Sequence, residues 1–246
     1  MSTETYTQDK QVGMTCTING KNAFEVFSAD LKSFEPSADS IDYSAERNVS
    51  LSKFSVSHYH FGAINLNAVF YVSGITKDTC YIHCSDLVAE CSNCVIKIED
   101  SEFEYIAVLT GFSISETGID FFNEISLTFT AVKRSGIVSV TADSGSESFN
   151  ITNSGSVASG CLLRLYSNHS STHVTWNGNR IEVTGLLPDV PFNIDGIEGA
   201  VTMDGLSALL NTNLISFPKV VPGVNTLVKE YPDDIVEIQF YPTYIT

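Results

Sequence analysis

The stretch Trp176-Asn177-Gly178-Asn179-Arg180 separates two runs of β-forming residues, 172–176 and 180–184. Asn-Gly forms tight hairpin turns, because both positions accept the positive φ angles that the reversal requires. We therefore predict a β-hairpin here. Short apolar runs separated by turn residues continue on both sides of it, a spacing that is typical of a β-sandwich. The further candidate strands are 137–142, 148–152, 161–166, 199–203, 213–217, 225–229 and 236–241.

Strand patterns also dominate the first half of the chain. A short apolar alternation ends in Asn19-Gly20, which predicts a second hairpin. Apolar and polar residues alternate in two longer runs, 64–72 and 125–131, with the period of a strand that buries one face. Residues 35–50 are polar and include Pro36, so we predict a long loop or an irregular extended arm there.

One α-helix is predicted from about residue 76 to residue 92. Its apolar positions recur with the helical period and form one face. Thr76 can cap the first turn, and Asn93 suits the residue at which the helix ends. The apolar face consists of Cys80, Cys84, Leu87, Val88 and Cys91.

The segment Lys133-Arg134-Ser135-Gly136 is the best candidate for a domain boundary, because the strands become shorter and the turn residues denser after it. We predict an all-β protein of two domains. Residues 1–136 form a β-sandwich or barrel with the one packed helix, and residues 137–246 form a second β-sandwich.

The composition is that of a folded, acidic protein. Of its 246 residues 43% are hydrophobic, and the net charge is −16 from 29 acidic and 13 basic residues. No run of about twenty apolar residues indicates a membrane span. Both predicted domains carry an acidic excess, which excludes binding to nucleic-acid phosphates as the main function. The charge either keeps the protein soluble or lines a channel through which DNA slides without binding.

The N-terminal residues lack the basic start and apolar core of a secretion signal, which predicts folding in a cytoplasm. Thiols stay reduced there, so the six cysteines are not expected to form disulfides. Cys91 and Cys94, together with Cys80, Cys84 and His83, have a spacing that can hold zinc. Three of these cysteines also lie on the apolar face of the helix. We therefore favour core packing over a zinc site or a redox pair, and predict no metal and no cofactor.

Other chemically capable side chains do not complete a site in the sequence. His58 and His60 share one face of a predicted strand, but no carboxylate pattern accompanies them. His169 and His173 lie in a Ser/Thr-rich loop that either contacts a ligand or forms a solvated turn. No nucleophile elbow, phosphate-binding loop or dinucleotide motif occurs, so no catalytic residue is predicted and the protein is not expected to be an enzyme. Asp233-Asp234 and Glu102/Glu104 are pairs of acidic residues, but hydrolysis of a sugar needs two carboxylates at a defined separation in a cleft. We expect both pairs to lie on exposed edges or loops.

The last third of the chain carries the most specific pattern. Phe217-Pro218 is followed by Pro222-Gly223-Val224-Asn225-Thr226, and the chain closes with Tyr241-Pro242-Thr243-Tyr244. This arrangement resembles the end of the distal tail proteins of tailed bacteriophages. Ile194-Asp195-Gly196 and the predicted helix also stand where that family has them. Locally the motif is structural, since Pro-Gly sets a turn and Asn225 can hydrogen-bond the backbone beside it.

The resemblance implies a structural subunit of the tail tip or baseplate. The N-terminal domain would form a homo-hexameric ring that continues the tail tube, and the C-terminal domain would be a galectin-like sandwich that projects outward. The ring would join the tail tube protein to the hub or receptor-binding protein and leave a channel for DNA. The implied location is the virion tail, assembled in the host cytoplasm.

Two other functions stay open. A carbohydrate-binding adhesion module would use the C-terminal sandwich, with Trp176 stacking on a sugar ring and with Asn177 and Arg180 bonding its hydroxyl groups. Trp176 can instead belong to the core. A hydrolase would need an acid–base or nucleophilic site, for which the sequence offers no triad.

Overall fold

Alternating apolar residues and Asn-Gly turns build most of the described chain from antiparallel strands. The chain divides into two units, an N-terminal unit of Met1–Lys133 with Ile245–Thr246 and a C-terminal unit of Arg134–Tyr244. None of the helices in the described chain is both long enough and apolar enough to cross a bilayer. The computed structural model describes residues 14–38, 42–48, 53–60, 63–119 and 121–245.

The N-terminal unit consists mainly of one β-sheet with helices packed against it. Its elements are β1 (Cys16–Ile18), β2 (Lys21–Asn22), α1 (Ala23–Phe27), β3 (Ala29–Ala38), β4 (Asp42–Asn48), β5 (Lys53–His60), β6 (Ile64–Ser73), α2 (Lys77–Glu90), β7 (Asn93–Ile98), β8 (Phe103–Ile119) and β9 (Phe122–Ser135). The main sheet has the order β2-β1-β7-β8-β9-β6-β3, and β4 pairs with β5 alone.

Strand β6 lies inside this sheet and buries every second residue, as its alternation predicts. Ile64, Leu66, Ala68 and Phe70 are all buried, and Leu66 stands opposite Phe129 of β9. The same apolar cluster takes in the buried face of α2, whose cysteines fill space as small apolar side chains. The core of this unit therefore lies between the sheet and the helix.

Helix α2 confirms the predicted helix, and Thr76 caps it in a capping box with Thr79. Its end differs from the prediction. The helix stops at Glu90 with Cys91 as C-cap, and Asn93 is the first residue of β7 instead of the terminating residue. The chain passes from the helix into β7 within two residues. Asn93 therefore does not end the helix with a left-handed backbone conformation, as asparagine often does.

Two local predictions for this unit are wrong. The expectation of a single helix missed α1, whose five residues are too few to show a period; Asn22 caps it by accepting from the backbone of Phe24 and Glu25. The loop or irregular extended arm expected at 35–50 instead contains the end of β3 and all of β4, which are regular strands. Pro36 fits in β3 because that strand lies at the sheet edge, where a missing N–H is tolerated.

The C-terminal unit is a β-sandwich. Its elements are β10 (Val138–Ala142), β11 (Ser148–Asn153), β12 (Ser159–Tyr166), β13 (Ser171–Trp176), β14 (Asn179–Thr184), β15 (Phe192–Asp195), β16 (Ala200–Met203), β17 (Leu206–Ser207), a 3-10 turn (Leu209–Asn211), β18 (Lys219–Val220), β19 (Gly223–Lys229), β20 (Ile235–Phe240) and β21 (Thr243–Tyr244). One sheet has the order β10-β20-β12-β15-β16-β17 and the other β11-β19-β13-β14, with one buried core between them.

The hairpin predicted at Asn177-Gly178 is confirmed, and these two residues have φ angles of 47° and 84°. The predicted strand at 213–217 is wrong, since the chain is irregular there and Leu214 and Phe217 pack onto the core from a loop. Strand β15 has no counterpart among the predicted strands. Its four residues are too short for a clear alternation, although Phe192 and Ile194 are fully buried.

Candidate functional site

The turn motif of the C-terminal unit is organised by one buried side chain. Asn225 is 0% exposed, and its Oδ1 accepts from the backbone N–H of Val221 at 2.8 Å. Its Nδ2 donates to the carbonyls of Val221 at 2.8 Å and Gly223 at 3.2 Å. Gly223 supplies the positive φ of 86° that the turn requires. The amide therefore replaces the backbone hydrogen bonds that an irregular loop cannot make for itself.

The tip of the β13–β14 hairpin is tied to this turn. The Asn177 side-chain amide donates to Asn225 Oδ1 at 2.9 Å, and its oxygen accepts from the backbone N–H of Thr226 at 2.9 Å. Both the nitrogen and the oxygen of the Asn177 side-chain amide therefore make hydrogen bonds within the protein. The sequence suggests Asn177 as a sugar contact and does not reveal this structural pairing.

Trp176 lies in the core of the sandwich. Its side chain is 3% exposed, and its Nε1 donates to the carbonyl of Lys219 at 2.9 Å. The structure therefore agrees with the alternative that Trp176 belongs to the core. Its burial leaves little ring surface for stacking on a sugar. Arg180 is exposed and pairs with Glu182 at 3.0 Å. A sugar contact through Trp176, Asn177 and Arg180 stays a prediction.

The N-terminal unit exposes an apolar hairpin, which we call the apolar hairpin surface and define as Phe112, Ile114, Ile119 and Phe121. These side chains are 57%, 36%, 60% and 49% exposed, respectively. Phe112, Ile114 and Ile119 belong to the last eight residues of β8, which are all exposed, and Phe121 directly precedes β9. Isolated apolar residues on a surface are ordinary, but several on one hairpin make it a candidate contact region.

Polar contacts hold this hairpin against helix α2. The hydroxyl of Tyr81 donates to Glu116 Oε1 at 2.6 Å, and Lys77 Nζ lies 3.2 Å from the same oxygen. The Tyr81 hydrogen bond, followed by the one from Lys77, holds the pKa of the Glu116 carboxyl below its ordinary value. These contacts fix the position of the hairpin relative to helix α2 within the single chain.

All six cysteines are buried and free. Burial raises the pKa of Cys84 to about 11, with a further contribution from Cys80. The Cys91 thiol hydrogen-bonds Cys94, which raises the pKa of Cys91 and lowers that of Cys94. Cys80 instead donates to the carbonyl of Val72 at 3.3 Å. All four side chains are buried and fill space in the core as small apolar groups.

The remaining sequence candidates are spread over the molecule. His83 Nδ1 lies 2.7 Å from the carbonyl of Ser73, and Glu104 stands in β8 opposite Lys97. His173 Nδ1 lies 2.6 Å from Glu230 Oε2. His169, Asp233 and Asp234 meet at one end of the C-terminal unit. His58 and His60 lie in β5, and their side chains fall outside the described residues.

Comparison with solved structures bears directly on this architecture. The crystal structure of the Dit protein of phage SPP1, described as a paradigm of the hub adsorption apparatus in phages that infect Gram-positive hosts, aligns with a TM-score of 0.73. The alignment covers 94% of this chain and 98% of that chain at 13% sequence identity. The fold is that of a phage distal tail protein. The distal tail fold expected from the C-terminal pattern is therefore confirmed over nearly the whole chain.

Two structures of the phage P2 baseplate in its activated conformation, one with calcium and one with strontium, give TM-scores of 0.45 and 0.46. Each alignment covers 87% of this chain and 90% of the other at 10% identity. No family model matches the chain, and no curated protein matches it significantly. The distal tail fold rests on the alignment with the SPP1 protein.

Proposed function

We propose that the protein is a structural subunit of a phage tail tip or baseplate. In this proposal six copies form a ring through the N-terminal unit. The ring joins the tail tube protein to the hub or receptor-binding protein, and its centre leaves a channel for DNA. The whole-chain fold agreement with the SPP1 Dit protein is the observation that carries the proposal. No catalytic step is part of this role.

The apolar hairpin surface supports self-association. Its side chains are exposed in the single chain, where each costs free energy by ordering water around apolar area. Burial against a second copy recovers about 25 cal/mol for each Å² of apolar surface removed from water. In the proposed ring, the hairpin of each copy contacts a different patch of the next copy, and such a head-to-tail contact closes into a ring when the rotation between neighbours divides a full turn.

The charges of the described residues support a channel that does not hold DNA. Many of the basic side chains are already engaged: Lys21, Lys32, Lys77, Arg164 and Arg180 pair with glutamates, and Lys229 is buried. Few cations are left to contact phosphates, while the chain as a whole carries −16. An acidic wall repels a passing polyanion, so DNA slides instead of adhering.

The test is the mass and shape of the purified full chain, measured by light scattering and negative-stain microscopy over a range of concentrations. We expect a ring of six with an open centre, either alone or after addition of the tail tube protein. A chain that stays monomeric in both conditions contradicts the proposal. If that monomer also binds on a glycan array, the adhesion-module function takes its place.

A further inference from the structure

Three side chains that can ligate a metal meet at one end of the C-terminal unit. His169 comes from the β12–β13 loop, and Asp233 and Asp234 come from the β19–β20 loop. Each offers one ligand atom, and these atoms all lie within 4.8 Å of one another. We call these three residues the loop cluster. It stands at the opposite end of β13 and β19 from the Asn177–Asn225 pair.

Asp234 is the member that points to a missing ligand. It is 0% exposed, and the hydroxyl of Thr172 donates to its Oδ2 at 2.7 Å. Its Oδ1 is buried and has no hydrogen-bond partner within the described chain. A buried carboxylate oxygen left without a donor or cation is costly, so native structures rarely contain one. A bound cation satisfies this oxygen directly.

The buried lysine nearby does not supply that cation. Lys229 Nζ donates to the backbone carbonyls of Asp143 at 2.9 Å, Pro232 at 3.0 Å and Asp234 at 2.6 Å. An ammonium group has three N–H donors, so these contacts use all of them. The carboxylates of Asp143, Asp233 and Asp234 all act on Lys229 electrostatically. Three carboxylates near one ammonium leave this neighbourhood with an excess of negative charge, which a bound cation would reduce.

The loop cluster is held in place before any ion binds. The His169 ring stacks on Tyr231 with centroids 3.7 Å apart, and the backbone N–H of Asp234 donates to the Tyr231 carbonyl at 3.1 Å. His169 Nε2 lies 3.4 Å from both carboxylate oxygens of Asp233. Two ligands at about 2.0–2.1 Å from a tetrahedral ion are separated by about 3.4 Å. The spacing of His169 and Asp233 therefore fits a shared metal ion.

We propose that His169, Asp233 and Asp234 bind a divalent transition-metal ion of the zinc class. One imidazole and two carboxylates suit zinc, whereas calcium prefers six to eight oxygen ligands and no nitrogen. The ion cross-links the β12–β13 and β19–β20 loops. Three protein ligands would leave a fourth coordination position for water, and Asp233 also lines a neighbouring pocket of about 340 Å³. This site lies outside the cysteine cluster that the sequence suggests.

The experiment is a calorimetric zinc titration of the untagged, metal-stripped full chain. We expect one equivalent of zinc to bind and the melting temperature to rise with zinc concentration, because the ion binds the folded state. His169→Ala and Asp233→Asn should each weaken binding by about 10-fold or more. Thr172→Val should weaken it about 10-fold without changing the stoichiometry, since Thr172 orients Asp234. Calcium should bind far more weakly than zinc.

The matched control is His173→Ala. His173 belongs to the same stretch of chain but pairs with Glu230, so its removal should leave the zinc affinity unchanged. Circular dichroism establishes that each variant is folded before its affinity is compared. Three outcomes would overturn the site: no zinc binding by the parent chain, unchanged binding in both loop-cluster variants, or an equal loss in His173→Ala.

Discussion

The side-chain amide of Asn177 donates to Oδ1 of Asn225 at 2.9 Å and joins the tip of the β13–β14 hairpin to the Pro-Gly turn at the start of β19. The two residues are 48 positions apart in the chain. One is exposed at a hairpin tip and the other is fully buried. The turn motif that resembles distal tail proteins is therefore half of a tertiary contact whose other half lies in a different hairpin.

Replacing Asn225 by alanine should destabilise the protein by about 3 kcal/mol, because several buried polar groups lose their partner at once. The loss should appear as a lower denaturant midpoint with an unchanged slope. Asn179→Ala, at an exposed position of the same hairpin, should change stability by less than about 0.5 kcal/mol. Equal effects of the two substitutions would refute a special role for Asn225.

Asn177→Gly separates the turn from the side-chain contact. Glycine accepts the positive φ of 47° at this position, so the hairpin turn itself is preserved and only the amide is lost. We expect a loss of about 1 kcal/mol in the free energy of unfolding. In a double-mutant cycle with Asn225→Ala the two losses should not add, since both remove the same hydrogen bond. Full additivity would mean that the two side chains act independently.

Gly160 in β12 should tolerate no side chain. A Cβ there would lie 2.4 Å from the carbonyl oxygen of Gly196, which is backbone and cannot rotate away. Gly160→Ala should therefore lower the free energy of unfolding by about 2 kcal/mol or more. Gly136→Ala is the matched control, because nothing lies within 4 Å of a Cβ at that position. A stable Gly160→Ala protein would contradict the close packing of the Ile194-Asp195-Gly196 turn on β12.

The apolar hairpin surface should govern assembly and not folding. Phe112→Ser combined with Ile119→Ser should abolish ring formation in light scattering, while the thermal midpoint of the single chain stays nearly unchanged because both side chains are exposed. Leu210→Ser is the control, since Leu210 is 100% exposed but belongs to the C-terminal unit. Rings that form equally well from all three proteins would exclude this hairpin from the interface.

Stability should fall at alkaline pH partly through Cys161. Burial, with a smaller effect of Asp195, raises the pKa of this thiol from 9.0 to about 12. The folded state then keeps a proton that the unfolded state loses, so this contribution is complete below the unfolded pKa of 9.0 and declines up to about 12.

The decline from one thiol amounts to at most about 1.4 kcal/mol per pH unit. Denaturant midpoints measured from neutral to alkaline pH should fall less steeply in Cys161→Ala than in the parent chain. The alanine protein is itself less stable because it carries a small cavity, so the two slopes are compared and not the absolute values. Parallel curves would show that Cys161 does not contribute.

Short-range patterns predicted the regular elements well. The period of Cys80, Cys84 and Leu87 indicated α2, and the alternation in β6 indicated which of its residues are buried. Both patterns reflect local geometry, because 3.6 residues per helical turn and two per strand repeat determine which side chains share a face. Elements of two to five residues, such as α1 and β15, are too short to show either period.

Tertiary packing determined the secondary structure at positions where the local conformational preference was weak or pointed to a different structure. Pro36 favours a loop, yet it lies in β3 because an edge strand has a side that needs no N–H donor. Leu214 and Phe217 suggest a strand, yet they reach the core from an irregular segment before Pro218. In both cases contacts with distant strands outweigh the preference of the neighbouring residues.

The sequence by itself determined the all-β class, the two Asn-Gly hairpins, helix α2 and the acidic character, because each depends on backbone preference, side-chain period or composition. Only the tertiary structure decided that Trp176 is buried, that Asn177 pairs with Asn225 and that His169 meets Asp233. Those contacts join residues more than forty positions apart. They follow from which strands pair and in what register, and no local pattern in a single chain encodes that choice.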